Sequence, residues 1–148
     1  MLKKNLLYRL PIELMREHII PFTYNPQPDF LLKDIRNFTS FRCEIFDLYK
    51  TLYPNYENLR EIMEWVSNDI SRFNNQDIPL MYGYSDKHYE YWKRLPYFQD
   101  KSESVIYDTT MNFLQNSEIF ANVNILIGLL RRDEREAHID FIHHIYNI

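Results

Sequence analysis

Histidines at 138, 143 and 144, with carboxylates at Glu134, Glu136 and Asp140, form the densest group of metal-ligating or proton-transferring side chains in the chain. On a helix, residues four apart are neighbours, which pairs Glu134 with His138 and Asp140 with His144. The same spacing describes ordinary ion pairs on a solvated helix. The His-Glu-x-x-His arrangement is absent, and the single cysteine, Cys43, cannot supply a thiolate set, so no metal site is expected. His143 and His144 also suit a helix C-terminus, where positive charge complements the dipole. The carboxylate pairs Glu13/Glu17 and Glu57/Glu61 have the spacing of a solvent-facing stripe. General acid–base chemistry would need an apolar pocket to split their pKa values. A serine nucleophile has no Gly-x-Ser-x-Gly elbow, and two glycines leave little material for phosphate-cradling loops. These absences predict a protein with no catalytic residue, no cofactor and no enzyme activity.

A second concentration of chemistry is aromatic. Tyr82, Tyr84, His88, Tyr89, Tyr91, Trp92, Arg94, Tyr97 and Phe98 fall close together, with Lys87 and Lys93 interleaved. Rings and cations can stack the bases of single-stranded nucleic acid. They also anchor protein partners, and Tyr84, Tyr89, Trp92 and Tyr97 are the anchors this reading names. The competing account is core packing. The chain holds 16 Ile, 13 Asn, 12 Tyr and 10 Phe against two Ala and two Gly, as coding DNA rich in A and T would produce, so its aromatic content needs no ligand to explain it. Asp86, Glu90 and Asp100 dilute the local positive charge, and the net charge of −4 disfavours nucleic acid and anionic membranes as partners.

Helical periodicity organises these groups. Phe30, Leu31, Ile35, Phe38, Phe41, Ile45, Phe46, Leu48 and Tyr49 recur mostly at steps of three and four, predicting one long helix that ends before Pro54. Asn55 is placed to cap the next, whose apolar face is Leu59, Ile62, Met63, Val66, Ile70 and Phe73. Ser85-Asp86 predicts the cap of a short helix that stops at Pro96. Ser102 and Ser117 predict the starts of two more, the second carrying a broad stripe of Ile119, Phe120, Val123, Leu126, Ile127 and Leu130. Asp133 with Glu136 fits a capping box for a last helix burying Ala137, Phe141, Ile142 and Ile145, with His144 and Asp140 toward solvent. Cys43, among Phe41, Ile45 and Phe46, is expected to be buried and reduced. The expected fold is all-α: a single compact domain of about six helices, 1–148. No membrane-spanning run or cleavable leader is visible, which predicts a soluble intracellular protein and leaves its oligomeric state open.

The opening carries a resemblance. Leu10-Pro11-Ile12-Glu13-Leu14, the apolar pair Ile19-Ile20, and then Leu31-Leu32 are similar in order to the F-box, a short helical module that docks a substrate receptor onto the adaptor of a cullin–RING ubiquitin ligase. The F-box-like segment is 8–50, with 51–148 as the helical remainder. The resemblance implies a helix pair docking in a partner's groove through Leu10, Pro11, Leu14, Ile19 and Phe22. The connector Thr23-Tyr24-Asn25-Pro26-Gln27-Pro28 and the helix opening Leu31-Leu32-Lys33-Asp34-Ile35 also resemble uncharacterised proteins of large DNA viruses of amoebae and algae. That likeness implies a viral protein of the host cytoplasm or the virion. The expected function is a non-enzymatic protein–protein interaction module, with an F-box-like adaptor role as its sharpest form. A structural component of a virion or other large assembly is the alternative.

Overall fold

Phe41, Ile45 and Tyr49 stand four residues apart, so a helix sets them on one face, and all three are buried. They belong to α1, Asp29–Leu52, which runs unbroken past Thr39 and Thr51, whose hydroxyls donate to the carbonyls of Ile35 and Asp47. The computed structural model describes residues 13, 28–55 and 58–148. The chain divides into two units, Met1–Lys33 and Asp34–Ile148. In the first, Glu13 is helical and exposed. Leu10, Pro11, Leu14, Ile19 and Phe22 lie outside the described residues.

The second unit is helical throughout its described elements. After α1 come α2 (Leu59–Asn74), α3 (Asp86–Trp92), α4 (Glu103–Asn116), α5 (Ile119–Leu129) and α6 (Arg132–Tyr146), with single 3₁₀ turns at Leu80–Tyr82 and Pro96–Phe98. The all-α expectation is met: six α-helices and no strand among the described residues. None of these helices is long and apolar enough to cross a membrane.

The core forms where α2 packs on α5. Ile62, Met63, Val66 and Ile70 of α2 meet Val123, Leu126 and Ile127 of α5, all essentially without solvent exposure. α5 is apolar nearly all round because it is central. α6 closes over α2 with Ile142 fully buried. Two polar devices pin the ends. Asn75, buried after α2, donates to the carbonyls of Ile78 and Gly83 and accepts from the Ser85 N–H at 2.6 Å. That locks a loop whose Gln76 and Asp77 are left-handed. Arg94 grips Glu134 through two bonds of 2.5 and 2.6 Å and the Leu129 carbonyl at 2.6 Å, joining the end of α3 to the α5–α6 junction.

Several local expectations are corrected. Asn58, not Asn55, caps α2, its side chain accepting from the Arg60 N–H. Glu118, not Ser117, caps α5. The N-cap of α6 lies two residues before Asp133: it is Arg131, and Glu134 rather than Glu136 reaches back to accept the Arg131 N–H at 2.8 Å. The inward face differs as well, because Arg135 is drawn in by Asp34 and Asn37. Ala137 is exposed, Phe141 and Ile145 are half-buried, and the inward positions besides Ile142 are Arg135 and His138. His144 and Asp140 do face solvent. Cys43 is exposed, because the stripe through Phe41 and Ile45 turns position 43 outward.

Candidate functional site

The aromatic band is split by α3 and the turn that follows it. Ser85 caps α3, its hydroxyl accepting from the His88 N–H at 3.3 Å, and the helix turns His88, Tyr91 and Trp92 inward at i, i+3 and i+4. The Tyr91 hydroxyl donates to the Leu126 carbonyl. The Trp92 indole N–H donates to His88 Nε2 at 2.8 Å, which makes that nitrogen an acceptor and places the proton of the neutral ring on Nδ1. Burial pushes His88 down to about 4, so the acceptor persists at neutral pH. Pro96 then opens a 3₁₀ turn that points Phe98 in and Tyr97 out, with 63% of Tyr97 exposed.

Between these rings lies an apolar pocket of about 140 Å³. Trp92, Leu95, Tyr97 and Phe98 form one side; Thr109, Thr110 and Phe113 of α4 and Ile125 of α5 complete it. Trp92 meets Phe98 and Phe113 edge to face at 6.0 and 6.4 Å. The Thr110 hydroxyl donates to the Ile106 carbonyl at 2.7 Å and lies 2.9 Å from the Tyr84 hydroxyl, so its polar atom is already engaged. Lys101 Nζ sits 5.5 Å above the Tyr97 ring at the pocket edge.

Of the four anchors named from the sequence, Tyr97 is exposed at this edge and Trp92, 2% exposed, is its inner wall. Tyr84 and Tyr89 are half-buried in a neighbouring ring cluster with His88 and Tyr107. Burial raises the hydroxyl pKa of both. Thr109, Thr110, Phe113 and Ile125 were missed. Only their helical spacing was legible, and nothing local says which helix end they reach.

The C-terminal histidines diverge. His138 is buried against the rings of Phe41, Phe73 and Phe141, and neither ring nitrogen has a hydrogen-bond partner among the described residues. Glu134, expected beside it, belongs to Arg94. Burial raises the Glu134 pKa, but hydrogen bonds from Arg94 and the Arg131 N–H hold it net below the usual carboxylate value. Among the described residues no three histidine, cysteine or carboxylate side chains gather as a metal site.

A buried network also escaped the sequence reading. Asp69 accepts from the hydroxyls of Tyr49 at 2.5 Å and Tyr146 at 2.9 Å, and the Tyr53 hydroxyl reaches that of Tyr146 at 3.1 Å. An aspartate on the apolar face of α2 was its one local signal. Burial, chiefly, and the adjacent carboxylate push the Tyr49 hydroxyl far above its usual value, so it stays a donor. Compared with protein-family models, curated proteins and solved structures, the chain matches none.

Proposed function

We propose that the chain is a non-enzymatic protein-interaction module that receives one apolar side chain of a partner in the pocket beside Tyr97. The observation that carries this reading is the pocket's lining: it is apolar, open at an exposed tyrosine, and walled by a tryptophan whose one polar atom is spent on His88. The surface this cleft presents is apolar and holds no charged side chain, and a buried aromatic wall with an exposed aromatic rim is what a partner's anchor residue fills. Titration with N-acetyl-leucinamide and N-acetyl-phenylalaninamide should shift the Trp92 indole N–H and the amides of Thr109 and Phe113 in NMR spectra. Shifts scattered over the surface, or none, would contradict the assignment.

The adaptor form of this reading rests on the Leu10-Pro11 segment. Pull-down of the cullin–RING adaptor by the wild type, lost in Leu14→Asp with the helical content intact, supports it. Absence of adaptor binding at micromolar concentration would remove that form and leave the pocket reading standing. One observation favours the alternative, a component of a virion or other large assembly: Ile78, Met81 and Tyr82, close in the chain, are each exposed, Met81 to 79%. Stoichiometric copies in purified particles would favour assembly.

A further inference from the structure

The two tryptophans of the chain are placed oppositely: Trp92 is 2% exposed and Trp65 is 40% exposed. The stripe that buries Ile62, Met63 and Val66 turns position 65 to the rim of α2. One face of the Trp65 indole lies on the ring of Tyr53, with centroids 5.5 Å apart and planes 16° from parallel. Tyr53 is held in turn, its hydroxyl donating to that of Tyr146 at 3.1 Å and its ring meeting the Tyr146 ring edge to face at 6.0 Å. The indole is thus fixed from behind, and an aromatic face already held in place costs little ordering entropy when it is used.

An open groove of about 500 Å³ runs beside it, lined by Glu61, Glu64, Trp65 and Asn68. These positions, i, i+3, i+4 and i+7, share one face of α2. Tyr53 does not line the groove, which therefore meets the indole where Tyr53 leaves it uncovered. Helical side chains lean toward the N-terminus, and this carries Trp65 over the turn of Glu61. Glu64 makes one exposed contact with Arg60 at 3.5 Å, while Glu61 has no ion-pair partner among the described residues. A first-turn carboxylate such as Glu61 complements the helix dipole without any ligand, but the exposed, backed tryptophan one turn on has no such explanation. The charges then choose the occupant. Two exposed carboxylates repel a phosphate, and no lysine or arginine lines the groove to offset them. Among cations, an ammonium is compact and strongly hydrated, so an open site gains little from it. A guanidinium is planar and more weakly hydrated, stacks on an aromatic face and keeps N–H groups at its edge for a carboxylate.

We infer that this face of α2 receives an arginine side chain of a protein partner, its guanidinium flat on the Trp65 indole and its edge toward Glu61. The surface is separate from the Trp92–Tyr97 pocket and does not depend on it. N-acetyl-argininamide, titrated into the full chain at constant ionic strength, should move the Trp65 indole N–H saturably in NMR spectra, with half-saturation in the range of about tens of millimolar or tighter. The Trp92 indole N–H should stay in place. N-acetyl-citrullinamide, which has nearly the same shape and no charge, should give no saturable movement, and N-acetyl-lysinamide should bind about threefold more weakly or worse. Glu61 is exposed, so Glu61→Gln should change the thermal midpoint little and weaken argininamide binding about threefold. Trp65→Leu keeps an apolar side chain but removes the ring, and should leave the amides of Glu64 and Asn68 without saturable movement; if that variant does not fold, Glu61→Gln decides alone. No saturable movement of Trp65, citrullinamide or lysinamide binding as tightly as argininamide, or unchanged affinity in Glu61→Gln would each overturn the site.

Discussion

His138 sits in a cage of three phenyl rings with no hydrogen-bond partner among the described residues, an expensive place for an imidazole and a worse one for an imidazolium. Burial lowers its pKa to about 3; the Asp69 carbonyl opposes this weakly from outside hydrogen-bonding geometry. His88 is lowered to about 4. Both folded values lie below the unfolded value of about 6.5, so below that pH the unfolded chain takes up protons that the native chain refuses. Stability is therefore full above about pH 6.5 and falls as the pH drops toward 4. Urea midpoints measured across this range should decline in the wild type and decline less in His138→Leu, which removes one of the two protons. Because neither nitrogen has a partner among the described residues, His138→Leu should cost little stability at neutral pH. Asp69 behaves oppositely, since its two tyrosine donors are made. Tyr49→Phe removes one from a buried carboxylate and should cost about 1–3 kcal/mol, read from the same urea midpoints.

Arg94 and Glu134 tie the end of α3 to the start of α6. The Arg94–Glu134 pair is about three-quarters or more buried on both sides, is two-pronged and also engages the Leu129 carbonyl. Arg94→Met should cost about 2 kcal/mol, since it leaves Glu134 and that carbonyl short of a donor. Arg60→Met breaks an exposed i,i+4 pair with Glu64 and should cost less than about 0.5 kcal/mol. Truncation after Leu130 removes Arg135, His138 and Ile142 together and uncovers α2, and circular dichroism should report loss of the cooperative transition. The helices themselves were legible because burial imposes a period of 3.6 residues, as the stripes of α1 and α2 show. Their starts were not. A cap depends on where the backbone leaves helical geometry, which neither Asn55 nor Asn58 announces alone. The inward face of α6 was misread for a different reason: Arg135 is buried because Asp34 and Asn37, about a hundred positions away, meet it, and sequence spacing cannot see such partners. For the pocket, the aromatic band was visible, but the sorting of Trp92 inward and Tyr97 outward is made by the end of α3 and the Pro96 turn.

At the scale of the molecule, the net charge of −4 and the apolar lining of the pocket favour a protein partner over nucleic acid. If one apolar anchor side chain of a partner enters beside Tyr97, filling the pocket from within should block it. Thr109 is half-buried on the pocket wall, so Thr109→Trp occupies the space from within while leaving the exposed surface almost unchanged. A displayed random-peptide library should be selected on the wild-type chain and the enriched peptides titrated against both chains, with helicity checked first. Selection should converge on peptides sharing one large apolar or aromatic residue, binding the wild type at micromolar affinity and the filled variant at least about tenfold more weakly. Failure to enrich any such residue, or equal affinity for the two chains, would contradict it.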